Sequence, residues 1–438
     1  MVGEFLKKLK NLRFKIPTYF FSPVFVAAII CAAVIYSFAA NVNSTKMTFR
    51  CLFSSDEIST ISGKIISNPV KSFAFNGSYR TEIAVKHVFT LDGSKSTADG
   101  KVTLYIPQEI VESNFPGKLY SAARHNAGFI IETGANLSVE CSAKKMKNGE
   151  LCFLAQNVKE WNFENSFSGR FARFRALCRL NFRRIMFAWG KAGGLLLALL
   201  SSSKEYTEAT ISDSFKNAGL SHILALSGMH LSLFGGLVLL FGKKVARRNI
   251  ADAIQVLAIL FFVWFAGLSP SLFRALLAAL ILYFSSLLRM RRPDGIFVLS
   301  ACFLIHCVVF PDHVKTAAFM LSYSSLLGIL VLSGIVKRIF SRAFLPHLSS
   351  SLSESLSAQI FTAPVTISLF AKLMPIGIIA SVFVAPLITL FIYLGLFGML
   401  ICFLLPFLSP CLSVIINVVY DLIKKLVIFF AGFPAIQF

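Results

Sequence analysis

The sequence predicts a polytopic α-helical membrane protein with a small β-barrel domain inserted outside the cytoplasm. Three observations support this fold class. Of the 438 residues, 56% are hydrophobic, and the mean hydropathy is +0.71. Apolar runs long enough to cross a bilayer recur along the chain. Between residues 43 and 163, by contrast, short β-rich segments recur at roughly regular spacing.

The first apolar run, Tyr19–Ala40, is preceded by a cluster of basic residues. These are Lys7, Lys8, Lys10, Arg13 and Lys15. A basic flank before a span places the N-terminus in the cytoplasm. A cleaved signal peptide is the alternative, but the run is long enough to span, so we interpret residues 1–42 as an anchor. Residues 43–165 are then extracytoplasmic.

Residues 43–165 are predicted to form an OB-like barrel. The five predicted strands are "STISGKIIS", "RTEIAVKHVFTL", "GKVTLYI", "NLSVECSAK" and "ELCFLAQNVKEW". Asn148-Gly149 predicts a tight hairpin between the last two strands. Five short strands suit a small closed barrel, with a β-sandwich as the alternative.

Three cysteines lie in this domain, in a compartment that permits disulfides. A two-residue hairpin at Asn148-Gly149 puts Cys141 about four positions out of register with Cys152. If a disulfide forms, Cys51 is therefore the expected partner of one of them, and Cys51–Cys141 is the candidate pair. The spacing alone does not decide the pairing.

Residues 166–190 are predicted to form an amphipathic, arginine-rich interfacial helix. Its apolar face contains Phe167, Phe171, Phe174, Cys178, Phe182 and Ile185. Arginines flank that face on both sides: Arg170, Arg173, Arg175, Arg179, Arg183 and Arg184. Such a helix lies in the headgroup region with its arginines at the water. The arginines suit lipid phosphates, and they suit nucleic-acid phosphates equally well.

Residues 191–438 are predicted to form a membrane domain of several spans. The predicted apolar runs are Gly193–Leu200, His222–Phe241, Ile254–Ala266, Leu272–Leu288, Ile296–Phe310 and Thr316–Val336. From Ser166 onward, the chain contains 24 Lys and Arg residues but only 8 Asp and Glu residues. This excess fits the positive-inside rule and headgroup contact, or a basic path for a polyanion. After Leu356 the apolar runs are interrupted by prolines and their orientation stays open. These are Pro364, Pro375, Pro386, Pro406 and Pro410.

The stretch "SHILALSGMHLSLFGG" places polar residues inside an otherwise apolar run. They include His222, Ser227, Gly228 and His230. Close helix packing through small residues is one interpretation. A metal site is disfavoured because eight residues separate the histidines by about 12 Å of helix. Ser227-Gly228 is similar to the Gly-x-Ser-Gly of rhomboid proteases, but no acid is placed to orient a histidine. Polar groups at this depth usually face a cavity.

The longer stretch "FKNAGLSHILALSGMHLSLFGGL" resembles the signature of the ComEC-type competence family, the inner-membrane channel for DNA uptake. Three further stretches agree in order: "WFAGLSPSLFRALLAALI" with Arg274, "PDHVKTAAFMLSYSSLLGI" with Asp312 and Ser322, and "SLSAQIFTAPVTISLF" with Gln359. The resemblance covers about Lys191 to Leu405. Ser381 departs from it, because the family usually has Asn there. The His-x-His-x-Asp-His signature of the family's metallo-β-lactamase-like domain is also absent, so we expect its activity to lie elsewhere.

The resemblance implies a channel that passes single-stranded DNA across the bacterial cytoplasmic membrane during natural transformation. The residues expected to line the DNA path are His222, Ser227, Gly228, His230, Arg274, Asp312, Ser322 and Gln359. The implied partners are single-stranded DNA, membrane lipids, a periplasmic DNA receptor and cytoplasmic single-strand-binding or motor proteins.

We expect no enzymatic activity, cofactor or metal in this chain. Past Ser166 the acidic residues scatter over separate loops and helix ends, without the clustered ligands that metal-dependent hydrolysis requires. A separate nuclease would then remove the non-transported strand. The alternative functions are a secondary transporter of a small anionic solute and an intramembrane serine hydrolase acting through Ser227.

Overall fold

The computed structural model describes residues 22–39, 49–72, 75, 77–112, 130–145, 151–201, 203, 207–224, 228, 231, 233–236 and 248–437. The chain divides into two compact units. The first unit comprises residues 1–43, 238–257 and 270–370. The second unit comprises residues 44–237, 258–269 and 371–438.

Several of the described helices follow predicted apolar runs, whereas most of the predicted run His222–Phe241 lies outside the described residues. The described helices are α1 (Pro23–Ala39), α2 (Gln108–Glu112), α3 (Phe167–Ala188), α4 (Gly190–Ser201), α5 (Ala209–Asn217), α6 (Ser221–Leu224), α7 (Arg248–Ala266), α8 (Pro270–Leu287), α9 (Gly295–Val309), α10 (Ala317–Phe340), α11 (Pro346–Phe370), α12 (Gly377–Leu404) and α13 (Ser409–Ala431). Short 3₁₀ turns cover Pro311–Lys315 and Pro406–Leu408.

Three of these helices, α8, α10 and α12, are long and apolar enough to cross a membrane. Shorter apolar helices, or apolar parts of helices, cover Pro23–Ile35, Gly190–Ser201, Ala253–Ala266 and Gly295–Val309. The helix-rich membrane part of the predicted fold is therefore consistent with the described residues.

The second unit begins with a closed five-stranded barrel, as predicted. The strands of this sheet are β1 (Ile58–Ile65), β2 (Val70–Lys71), β3 (Tyr79–Thr90), β4 (Lys95–Thr97), β5 (Lys101–Ile106), β6 (Asn136–Lys145) and β7 (Leu151–Asn162). β1 pairs antiparallel with both β3 and β6, and β5 pairs parallel with β7. Since β3 also pairs with β5 and β6 with β7, the ring of five long strands closes. The sheet therefore does not form the alternative β-sandwich.

The alternating sequence of these strands builds the barrel core. Ile61, Ile83, Leu104, Val139 and Phe153 are fully or almost fully buried in one apolar cluster. Successive side chains of a strand point to opposite faces, so the alternating residues face outward. Burial of the inward set stabilises the barrel by removing apolar surface from water.

The barrel register bears on the candidate disulfide. Cys141 pairs with Ala155, and Cys152 pairs with Lys144, so the two thiols are out of register as expected. All nine cysteines are free thiols in the structure. Cys51 and Cys141 both contact the barrel core, and their pairing stays a prediction. The Asn148-Gly149 hairpin lies outside the described residues.

Other helices of the second unit are joined by buried apolar residues, a close approach at Gly395 and ion pairs. Leu195–Leu200 of α4 are buried. A Cβ on Gly395 of α12 would lie 2.6 Å from a Leu196 methyl group. The Glu208 carboxylate bonds Lys191 Nζ at 2.8 Å and Lys424 Nζ at 2.6 Å, which links α4 to α13. Two more short strands, β8 (Lys372–Leu373) before α12 and β9 (Ile436–Gln437) after α13, pair antiparallel with each other.

Not all of the five prolines after Leu356 interrupt a helix. Pro364 lies inside α11 and Pro386 inside α12. The other three prolines lie between helices or at helix starts. A proline inside a membrane helix is tolerated when neighbouring groups satisfy the freed backbone positions, so these two residues do not end their helices.

Candidate functional site

Three arginines of α3 are directed into the second unit. Arg179 Nε lies 3.1 and 3.2 Å from the two carboxylate oxygens of Glu132, and Arg183 Nη1 lies 2.8 Å from Glu132 Oε1. The side chains of Arg179, Arg183 and Glu132 are almost completely buried. Arg179 Nη1 also donates to the Phe265 carbonyl at 2.7 Å. Arg175 Nε donates to the Trp264 carbonyl at 2.6 Å.

These bonds give the arginines a structural role. The last carbonyls of a helix have no partner within the helix, and α7 ends at Ala266. Arg175 and Arg179 occupy those carbonyls, while Glu132 is contributed by the loop before β6. The cluster therefore fastens the barrel, α3 and the end of α7 to one another.

Glu132 carries the negative charge of this cluster. Burial alone would raise the pKa of its carboxyl, but the guanidinium groups of Arg179, Arg183 and Arg175 outweigh burial and hold the pKa below its usual value. Glu132 is thus a buried carboxylate that stays ionised. Sequence reasoning missed it, although a lone acid in the apolar stretch "GFIIETGA" was a signal.

The structure separates the six arginines predicted to contact phosphates. Arg170 and Arg173 are exposed, as are Phe171 and Phe174 beside them. Arg179, Arg183 and Arg184 are buried. The N-terminal half of α3 therefore has its arginines on the protein surface, and its C-terminal half is part of the core of the second unit.

Within the stretch "FKNAGLSHILALSGMHLSLFGGL", the residues "AGL" form the C-terminal cap of α5. The Leu220 amide donates to the Phe215 carbonyl at 2.8 Å, and the Gly219 amide donates to the Lys216 carbonyl at 3.0 Å. This pair of bonds is a Schellman cap, which requires a left-handed residue after the helix. Gly219 has φ +73° and meets that requirement. Leu220 and Phe215 are both fully buried, as the apolar pair that accompanies this cap usually is.

We expect Gly219→Ala to destabilise the protein by about 2 kcal/mol or more. An alanine in the left-handed region costs roughly 1–2 kcal/mol, and its Cβ would lie 2.9 Å from Met374 Cβ and 3.0 Å from Gly377 Cα. The measurement is thermal unfolding of the purified protein in detergent. Gly236→Ala is the control, because none of the described residues has an atom within 4 Å of that Cβ. Equal melting temperatures for the two variants would contradict the prediction.

The polar residues of the same motif are only partly described. His222 is exposed, and Gly228 is helical and partly buried. Ser227 and His230 lie outside the described residues. The channel-lining role predicted for these four residues stays a prediction.

In the first unit, Arg274 of α8 and Ser322 of α10 come together. The Arg274 guanidinium donates to the backbone carbonyl of Ser322. The contact therefore uses the Ser322 backbone rather than its hydroxyl. Among the described residues, no carboxylate lies within ion-pair distance of Arg274, which bonds the neutral Ser322 carbonyl instead. Asp312 is exposed in the turn before α10.

Next to Arg274, a chain of hydrogen bonds joins α9, the following turn and α10. His306, which is fully buried, bonds the Tyr323 hydroxyl through Nδ1 at 3.2 Å and His313 Nδ1 through Nε2 at 3.1 Å. Phe310 stacks on His313 with centroids 4.8 Å apart. Within the described part of the chain, no group of three or more His, Cys, Asp or Glu side chains could hold a metal ion.

Gln359 lies on α11 and is partly buried. It belongs to the first unit, as do Arg274, Asp312 and Ser322, whereas His222 and Gly228 belong to the second. The predicted path residues thus fall into two groups, and within the first group a hydrogen bond joins Arg274 to Ser322.

Three comparisons relate the chain to known proteins. A family model described as competence protein matches residues 199–438. The chain is 24% identical over 197 residues to ComE operon protein 3 of Bacillus subtilis (strain 168), covering 45% of this chain and 25% of that protein. It is 28% identical over 206 residues to an uncharacterized protein of Aquifex aeolicus (strain VF5), covering 47% of each. No solved structure matches the chain.

The aligned regions therefore span a quarter and about half of the two curated relatives. The family match includes the segments that carry Gly219, Arg274, Asp312, Ser322 and Gln359. It covers more than half of the 438 residues, and on this basis the chain belongs to the competence protein family.

Proposed function

We propose that this protein is a channel that passes single-stranded DNA across the bacterial cytoplasmic membrane during natural transformation. Membership of the competence family supports a role in DNA uptake. The three apolar helices long enough to span a membrane support a location in the bilayer. The barrel supports contact with a strand, because small five-stranded barrels of OB type bind oligonucleotides.

The observation that carries the proposal is the cation of Arg274, which no carboxylate neutralises among the described residues. Ionisable residues inside membrane helices are costly and usually face a partner or a water-filled path. Arg274 bonds a neutral carbonyl, and among the described residues no acid neutralises it. A DNA phosphate passing between the helices would supply the missing negative charge, and guanidinium groups bind phosphate with paired hydrogen bonds.

The proposed topology puts the N-terminus in the cytoplasm and residues 43–165 outside the membrane. The barrel then meets the strand first, delivered by a periplasmic DNA receptor. The exposed Arg170 and Arg173 lie on the helix that follows the barrel, where they contact phosphates of DNA or lipid. Cytoplasmic single-strand-binding or motor proteins receive the strand, and a separate nuclease removes its complement.

Arg274→Gln is expected to lower transformation by at least about 30-fold. Removing one partner of a desolvated charge pair costs about 2 kcal/mol or more, which is about 30-fold in an equilibrium. The experiment scores labelled DNA in the periplasm separately from DNA in the cytoplasm, in a deletion strain that expresses the variant. DNA should accumulate in the periplasm.

Arg291→Gln is the matched control, because Arg291 is exposed after the end of α8 and should leave DNA entry unchanged. Arg274→Lys keeps the charge and should restore part of the entry, and immunoblots of membranes should show equal amounts of each variant. Normal cytoplasmic entry with Arg274→Gln would refute the proposed path.

A further inference from the structure

A phenylalanine at one end of the barrel has an unusual backbone conformation. Phe75, in the connection between β2 and β3, has φ +49°. The left-handed region costs a residue with a side chain roughly 1–2 kcal/mol, and Gly or Asn usually occupies it. The turn is held by Ser78, whose amide and hydroxyl both donate to the Phe75 carbonyl.

The conformation brings the Phe75 ring to two other strands of the barrel. The ring meets Tyr105 of β5 edge-on, with centroids 4.9 Å apart. Lys144 of β6 holds its ammonium group 5.4 Å from the centroid of the Phe75 ring. One turn and two strands thus place an aromatic pair and a cation at the same point of the barrel.

The local packing does not account for this arrangement. Phe75 is only partly buried, so the fold gains less apolar burial from it than from a core phenylalanine. Lys144 is exposed, and none of its contacts among the described residues is with an acid. Strained residues that persist without a packing gain cluster at binding sites. An aromatic ring beside a free cation is the combination that binds single-stranded nucleic acid, by stacking a base and pairing a phosphate.

The barrel contains a second cation-over-ring pair for comparison. Lys95 Nζ lies 5.9 Å from the centroid of the Phe89 ring. Phe89 is in β3 and pairs with Lys95 of β4. This pair lies near the end of β3, whereas Tyr105 pairs with Arg80 at its start. Phe89 has ordinary strand conformation, and among the described residues no second aromatic ring contacts it. The Phe89 pair therefore has a ring and a cation like the Phe75 pair, but no backbone strain.

We propose that Phe75, Tyr105 and Lys144 form a binding site for single-stranded nucleic acid, an inference that rests on the proposed function. Phe75 stacks on a base, Tyr105 supports the ring edge-on, and Lys144 contacts an adjacent phosphate. Duplex DNA is excluded from this stacking because its bases are already stacked on one another. The site would bind the strand before it reaches the membrane.

The test measures binding of fluorescein-labelled oligothymidylate, and of a duplex of equal length, to the purified full-length protein in detergent. Phe75→Leu should weaken single-strand binding about 5-fold to 150-fold, since stacking contributes about 1–3 kcal/mol per base, and should leave duplex binding unchanged. Phe75→Trp should retain binding. Lys144→Gln should reduce the slope of log K against log[salt] by about 0.7.

Phe89→Leu and Lys95→Gln are the matched controls and should bind like the unchanged protein. Phe75→Asn separates a binding role from a packing role, because Asn tolerates the left-handed region: its melting temperature should not fall while its single-strand binding is lost. Unchanged binding by Phe75→Leu, or an equal loss with Phe89→Leu, would overturn the site.

This outcome is separable from that of the proposed function. Loss of binding with Phe75→Leu but normal DNA entry with Arg274→Gln would support the barrel site and refute the proposed path. If Arg274→Gln blocked DNA entry but Phe75→Leu bound single strands normally, the proposed path would be supported and the barrel site refuted.

Discussion

Glu132→Gln is expected to lower the free energy of unfolding by about 3–5 kcal/mol. The change removes the negative charge from a buried cluster and leaves the guanidinium groups of Arg179 and Arg183 without their counter-charge, and removing one member of a buried ion pair costs about this much. The measurement is chemical unfolding of the purified protein in detergent. Tryptophan fluorescence is the readout, because Trp161 Nε1 bonds the Ile130 carbonyl two residues from Glu132 and the Trp264 carbonyl accepts from Arg175 of the cluster.

Glu140→Gln is the matched control. Glu140 pairs with Lys159 at 2.9 Å, but both side chains are 40% or more exposed. Exposed pairs contribute roughly 0–1 kcal/mol, so this variant should unfold almost like the unchanged protein. A loss for Glu132→Gln no greater than that for Glu140→Gln would show that the cluster does not hold the barrel and α3 together.

The pH dependence of this contribution follows from the sign of the shift. The pKa of Glu132 is lower in the folded protein than its ordinary value. Its stabilising contribution is therefore complete above the ordinary carboxyl pKa, and it is lost as the pH falls through the lower, folded value. Between neutral pH and pH 5 the difference in stability between the unchanged protein and Glu132→Gln should stay constant. It should shrink only in more acidic solution.

Gly328→Ala is the second change expected to have a large effect. A Cβ on Gly328 of α10 would lie 2.4 Å from the Ser357 carbonyl oxygen and 2.8 Å from Phe361 Cβ on α11. Real side chains do not approach backbone so closely, so α10 and α11 would have to move apart. Overpacking of this kind costs about 3 kcal/mol, and the lower melting temperature of the purified protein measures it.

Gly334→Ala provides the control on the same helix. In the part of the chain that the structure describes, no atom lies within 4 Å of its Cβ position, so the substitution should be neutral or slightly stabilising through the unfolded state. If both variants melted at the same temperature as the unchanged protein, the close approach of α10 and α11 at Gly328 would be wrong.

Much of the fold could be predicted because its signals are local. The alternation in "RTEIAVKHVFTL" predicts a strand, and β3 covers Tyr79–Thr90. The apolar run Leu272–Leu288 predicts a helix, and α8 covers Pro270–Leu287. Proline was a weaker signal, since Pro364 lies within a helix. Whether a proline ends a helix depends on neighbours that satisfy the freed carbonyl, and these are not adjacent in sequence.

The candidate sites depended more on contacts between distant residues. The helical wheel placed Arg179 and Arg183 beside an apolar face, which suits phosphate contact, but their partner Glu132 lies more than 40 residues earlier in the chain. The family motif predicted Arg274 and Ser322, yet only the packing of α8 on α10 shows that Arg274 bonds a backbone carbonyl. Nothing in the sequence distinguished Phe75 from the other 44 phenylalanines.

The sequence by itself determined the membrane class, the five strands of the barrel and the family, because hydrophobic periodicity and short motifs express how each segment partitions between water, lipid and core. The tertiary structure alone decided which charged side chains form structural ion pairs and hydrogen bonds. A guanidinium group has the same preferences in every sequence context, and whether it meets a carboxylate, a carbonyl or an open surface depends on which distant segments the fold brings to it. That is why Arg179 is part of the core while Arg170 and Arg274 have no carboxylate partner among the described residues.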